Sequence, residues 1–283
     1  MQPTHNQLTP LTTEQIRNQA PSIFTTVPHS RTSESYQFIP TYKILEAMTN
    51  EGFLPVRAQQ TRTRLAQRKA TTRHMIRFRH QSYTNNSPTH SRSSSEFPEI
   101  VLVNSHDGSS TYQLFAGIFR LVCANGLIIS TSQTSPPIRI RHNQSSNRTT
   151  QTIIDASYTI IKESVTRFEQ ISNLKSILLP LPAQKSFAKQ ALQLKGEHSA
   201  QIFDSEQFLA ARRVQDLQNP NTLSRDLWTT FNTVQENLMR GGISGTTANN
   251  RRATSRAIRS VNEELRVNQA LWSLAEDFAT KYA

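Results

Sequence analysis

Only one cysteine, Cys123, occurs in the 283 residues. No internal disulfide can form, and a reducing compartment is expected. Long apolar runs are missing as well. The longest, near Leu121 to Ile129, is interrupted by Asn125 and Gly126 and falls short of the ~20 residues that cross a bilayer. The stretch Met1-Gln-Pro-Thr-His-Asn-Gln-Leu has neither a basic n-region nor an apolar h-region, so no secretory signal is expected. These absences predict a cytoplasmic chain without membrane contact. Neither a Walker-A loop nor a GxGxxG run is present, which removes the usual phosphate cradles of nucleotide-using enzymes. The most telling deficit is of acid: there is no Asp or Glu from Gly52 to Ser95, and none from Gly108 to Ile154.

What fills those stretches is arginine. Residues 52–95 carry nine basic side chains, and residues 52–154 hold 13 against Glu96, Glu99 and Asp107, a net of +10 within a total of +12. A field concentrated in this way attracts polyanions and speeds their encounter, which puts nucleic acid first among expected partners.

The periodicity changes once along the chain. Thr41 to Asn50 has helical spacing at Tyr42, Leu45 and Met48 and a glycine stop at Gly52. Val56–Arg64, His74–His80, Glu99–Asn104, Tyr112–Leu121 and Ile138–Arg141 read as strands, with turn dipeptides at Asp107-Gly108 and Asn125-Gly126. Residues 81–95 have too little apolar content to bury and are expected to form a mobile loop. Segments 76–79, 118–121 and 138–141 set arginine beside apolar strand residues, so a shared sheet would have a core face and a cationic platform.

The second half is helical. Ile154, Tyr158, Ile161, Val165, Phe168 and Ile171 form the seam of a long helix that Pro180 and Pro182 terminate, and a shorter helix follows from Ala183 to Lys195. Ser224 is the expected N-cap of a helix stopping at Gly241-Gly242, and a last helix is expected from about Thr254. Arg252, Arg256 and Arg259 would then share one face near its start, where cations oppose the macrodipole unless an anion is bound. The predicted class is α+β, mostly antiparallel. It divides into an N-terminal arm (1–32), a β-rich basic subdomain (33–148) and a helical subdomain (149–283).

Catalytic constellations are weak. Cys123 and His106 are the one nucleophile–base pair on offer, but Cys123 sits in an apolar run, where cysteine is a small core residue. His106-Asp107 reads as turn chemistry. The histidines at 74, 80, 90, 106, 142 and 198 lack metal-ligand spacing, and the acid-poor half cannot build a two-metal nuclease. A non-enzymatic protein with no metal and no cofactor is expected.

Pro98-Glu-Ile-Val-Leu-Val-Asn-Ser-His-Asp-Gly-Ser-Ser, Phe119-Arg-Leu-Val-Cys-Ala-Asn-Gly and Gln235-Glu-Asn-Leu-Met-Arg-Gly-Gly-Ile-Ser-Gly closely resemble the phage- and plasmid-like YfjQ/YafZ group. So do Ser33-Glu-Ser-Tyr-Gln-Phe-Ile-Pro-Thr, Arg256-Ala-Ile-Arg-Ser and Gln269-Ala-Leu-Trp, and the likeness runs in order over roughly residues 20–280. The resemblance implies a mobile-element setting and supplies no catalytic residues. With the cationic sheet, it points to sequence-independent DNA binding, of the single-strand or annealing type, in element maintenance, with self-association allowed for. The candidate backbone contacts are Arg62, Arg64, Arg73, Arg77, Arg79, Arg139, Arg141, Arg252, Arg256 and Arg259. Tyr83 and Tyr112 are candidate base stackers, with Tyr112 read first as core. The alternative is a non-catalytic module that grips an acidic surface of a host defence or restriction component.

Overall fold

The computed structural model describes residues 9–33, 36–83, 96–120, 126–129, 137–142, 145–212 and 224–283. They form two compact units, residues 9–120 with 126–164, and residues 165–283. The class is α+β, with strands mostly in the first unit and helices mostly in the second.

The first unit opens with α1 (Thr13–Gln19). Thr12 and Gln15 close a capping box there: the Thr12 hydroxyl accepts from Gln15 N at 3.2 Å, and Gln15 Oε1 accepts from Thr12 N at 2.8 Å. A 3-10 turn at Pro21–Phe24 and helix α2 (Thr41–Asn50) follow. The sheet runs antiparallel through β1 (Phe53–Gln60), β2 (His74–His80), β3 (Glu96–Asn104) and β4 (Tyr112–Arg120). The outer edge of β4 is shared: β5 (Gly126–Ile129) pairs with Ala116–Phe119, and β6 (Ile138–Ile140) pairs with Tyr112–Leu114. One face carries Phe53, Ile76, Phe78, Ile100, Leu102, Leu114 and Ile140 in register, and these pack with Ile44, Leu45 and Met48 of α2.

The opposite face is not an open cationic platform. Every residue of β3 is buried, and so are all of β2 except His80. Arg77 and Arg79 are buried there and share the Glu99 carboxylate: Arg77 Nε donates to Oε2 and Arg79 Nη2 to Oε1, both at 2.7 Å. Gly117, opposite Glu99 on β4, makes the room. A methyl there would stand 3.2 Å from Arg77 Nη2 and 3.0 Å from Val101 Cγ2. By register, Arg139 lies on this same face, exposed at its edge. The side chain of Arg120, the turn at Asn125 and residues 84–95 lie outside the described residues.

Helix α3 (Ser146–Ser176) ends before the short strand β7 (Leu178–Leu179), and Pro182 sits in the first turn of α4 (Leu181–Gln193). The buried residues of α3 include Ile153, Ile154, Ser157, Ile160, Ser164, Arg167, Ile171 and Leu174; of the expected seam, Ile154 and Ile171 are buried and Ile161 and Phe168 half-buried. Tyr158 instead faces outward, its hydroxyl 3.2 Å from Glu51 Oε2.

The second unit continues with α5 (Glu197–Ile202), β8 (Arg225–Asp226) and α6 (Leu227–Arg240). Asp226, not Ser224, caps α6: its carboxylate accepts from Thr229 N at 2.7 Å, because residues 225–226 are held as a strand against β7. The β9 (Ser244–Thr246) and β10 (Arg252–Thr254) hairpin precedes α7 (Val261–Tyr282). The last helix therefore begins seven residues later than the spacing predicts. The amides of Ser255 and Ile258 are committed to Ile243 O and Met239 O, at 2.8 and 2.9 Å, which withholds them from a helix. Phe187, Phe231, Trp272 and Phe278 form the aromatic centre of this unit, with Phe187 edge-on to Phe278 at 5.1 Å.

Candidate functional site

The β1–β2 connection, residues 61–73, contains five cations and no acid. It is a built loop rather than a slack one. Thr61 N donates to Arg73 O at 2.8 Å, Gln60 Nε2 to Lys69 O at 3.2 Å and Thr71 N to Arg68 O at 3.1 Å around a 3-10 turn at Ala66–Arg68. Arg62, Arg64, Arg68 and Lys69 are exposed, and their side chains have no hydrogen-bond or ion-pair partner among the described residues. Arg73 is half-buried and donates from Nη2 to Ser109 O at 2.9 Å.

This loop faces the segment from Thr25 to Arg31 across a cleft of about 470 Å³. The backbone of His106 fastens both walls: His106 N donates to Thr71 O at 3.1 Å, and His29 N donates to His106 O at 2.8 Å. Arg31 and Arg68 line the cleft with Val27, Pro28, His29 and Leu65. None of these six is among the arginines predicted from sequence. Leu65 could have been noticed as a lone large apolar residue inside an arginine run; nothing in the sequence sets Val27 opposite it.

The remaining predicted contacts disperse. Arg139 and Arg141 are exposed at and just beyond β6, and Arg141 lines a cavity of about 340 Å³ with Tyr36, Thr111 and His142. Arg252, Arg256 and Arg259 are exposed in the second unit, on β10 and the extended segment before α7, so they do not share a helix face. Tyr83 is half-buried, and Tyr112 is fully buried, which removes it as a stacker. Cys123 lies outside the described residues.

Behind the cleft is a buried polar network with the Thr41 hydroxyl at its hub. His74 Nδ1 faces Thr72 O at 3.1 Å and therefore carries the proton, so His74 Nε2 accepts from Thr41 Oγ1 at 2.9 Å. Asn104 Nδ2 donates to Thr41 Oγ1 at 3.0 Å, leaving Asn104 Oδ1 to accept from His142 Nε2 at 2.9 Å. Tyr112 donates its hydroxyl to Ile39 O at 2.9 Å, and His106 Nε2 donates to Thr41 Oγ1 at 3.1 Å. Burial pushes His74 down to about 4, against the opposing pull of the Thr72 carbonyl and Asp107. Burial, with His74 and His142 as neighbours, pushes His106 down to about 2. His142 is lowered too, by burial. Three neutral imidazoles thus belong to the network that includes His106, whose backbone fastens both walls. Among the described residues, no three His, Cys, Asp or Glu side chains converge as metal ligands.

No helix among the described residues is long and apolar enough to cross a membrane. No solved structure matches the chain. Two relatives from Escherichia coli (strain K12) cover 96% of it and are themselves covered over 93%: the UPF0380 protein YafZ, 37% identical, and the UPF0380 protein YfjQ, 36% identical. A family model described as a domain of unknown function, DUF932, matches residues 28–272. Matched over most of its length by that model and by both relatives, the chain belongs to the DUF932 family.

Proposed function

We propose that this protein is a non-catalytic nucleic-acid-binding protein that holds the phosphate backbone of DNA without reading its sequence. The supporting observation is the acid-free loop 61–73, in which Arg62, Arg64, Arg68 and Lys69 stand exposed without partners among the described residues. Guanidiniums left unpaired in a folded loop are available to phosphate oxygens, which they bind through charge-assisted hydrogen bonds. Arg139 and Arg141 add cations to the same unit, and Arg251, Arg252, Arg256 and Arg259 add them to the other. Arg77 and Arg79 take no part, since Glu99 occupies them. His106, fully buried with its Nε2 on Thr41, is not placed to serve as a base for a substrate. Service to a mobile element is part of the same reading.

The test is fluorescence anisotropy with labelled DNA, titrated from low salt to ~150 mM. Replacing Arg62, Arg64 and Lys69 together by alanine should weaken binding to every sequence alike. It should also lower the log–log salt slope by about 2–3, at ~0.7–0.9 for each phosphate no longer neutralised. An unchanged slope in that variant would remove the loop from the interface.

A further inference from the structure

A single exposed apolar side chain is ordinary, but two that face each other across one cleft make a contact surface. Among the described residues four large apolar side chains are exposed, and two of them face this cleft: Val27, 63% exposed, on one wall and Leu65, 46% exposed, on the other. Each shares its wall with a guanidinium that has no side-chain partner among the described residues, Arg31 with Val27 and Arg68 with Leu65. His29 Nδ1 accepts from Arg31 N at 3.2 Å, so its Nε2–H is a further donor on the same wall. The walls do not move independently, because both are bonded to the backbone of His106.

A cleft of about 470 Å³ with apolar and cationic side chains on both walls suits a ligand with a flat, poorly hydrated body and an anionic edge. A nucleotide has that form. Duplex DNA does not offer it, since its bases are stacked and paired behind the phosphates. A single strand does, because its bases can be splayed out. An apolar peptide with an acidic edge is the competing occupant. Nucleic acid is favoured over it because Arg62, Arg64 and Lys69 extend the cationic surface along the same loop, as a polymer with a charge on every unit requires.

We infer that the cleft takes one unstacked nucleotide of single-stranded DNA, its base against Val27, Pro28 and Leu65 and its phosphate on Arg31 and Arg68. This inference rests on the phosphate-backbone reading above and gives the single-strand binding expected from the sequence a site.

The experiment measures anisotropy at ~150 mM salt with three labelled DNAs of about 20 nucleotides: a single strand, the same strand with abasic sites, and the duplex. Wild-type protein is expected to hold the base-carrying strand about tenfold more tightly than the other two, through burial of Val27 and Leu65 against the base. In the double variant Val27→Ser, Leu65→Ser that advantage disappears while abasic and duplex affinities stay the same. Both side chains are exposed, so the urea midpoint should not move, and it is recorded alongside. Equal wild-type affinity for the abasic and base-carrying strands overturns the nucleotide cleft and leaves the phosphate reading standing. An undiminished single-strand advantage in the double variant also overturns it. If wild-type protein holds none of the three DNAs, the phosphate reading fails and this inference falls with it.

Discussion

Glu99 is the residue on which the sheet's second face depends. Its two oxygens are occupied by two guanidiniums inside the protein, where each charge has lost most of its hydration. Burying such groups is costly, and the arrangement persists because the carboxylate is shared and both contacts are short. Removing the charge while keeping the shape isolates this effect. Glu99→Gln is expected to lower the unfolding free energy by about 3–5 kcal/mol, read as a fall in the urea midpoint at constant slope. The side-chain alternation Ile76-Arg77-Phe78-Arg79 announces a strand with one apolar face, and that much was legible. The fate of the other face was not. It depends on Glu99 lying one strand away, and on Gly117 lying on the strand beyond, opposite Glu99, where a methyl would crowd Arg77. An arginine in an alternating strand looks the same in sequence whether it meets water, a phosphate or a buried glutamate.

Elements were legible where the signal is local and misplaced where a partner decides. Helix α2, the glycine stop after it, strands β2 to β4 and the end of α6 at Gly241-Gly242 follow from spacing and turn chemistry. The seam of α3 is legible at Ile154 and Ile171 and incomplete elsewhere, because Ser157, Ser164 and Arg167 are also buried in it and an apolar pattern does not count serine or arginine. The start of α7 is displaced because residues 252–254 pair with 244–246 around a turn that Asn250 closes at φ +56°. The cap of α6 moved for the same kind of reason, from Ser224 to Asp226, once residues 225–226 paired with β7. That relocation has a consequence: Asp226→Ala should destabilise the protein by about 1 kcal/mol through loss of the bond to Thr229 N. Thermal or urea unfolding of the variant beside wild type measures it.

The histidine network joins the turn at Ser22, helix α2 at Thr41, β2 at His74, the end of β3 at Asn104, the β3–β4 turn at His106, and the end of β6 at His142. Its titration therefore concerns the whole first unit. In the unfolded chain each imidazole titrates near 6.5, whereas in the folded protein His74 titrates near 4 and His106 near 2, and His142 is lowered as well. The folded state excludes protons that the unfolded state accepts, so falling pH favours unfolding. The network's contribution is complete well above pH 6.5 and declines as the pH drops through 6.5, down to about 4 for His74 and about 2 for His106. Each excluded proton is worth ~1.4 kcal/mol per pH unit, so His74 alone contributes roughly 3 kcal/mol across its window. Asp107 pulls His74 the other way without reversing the direction. Urea midpoints measured at pH 7.5, 6 and 5 should fall steadily, and the fall between 6 and 5 should be smaller in His142→Gln, which has one imidazole fewer to protonate. Because His106 carries both walls of the cleft on its own backbone, acid should release the cleft together with the fold. Single-strand preference and the urea midpoint are then expected to decline over one pH range, and a preference lost well above the range of unfolding would separate the cleft from the network beneath it.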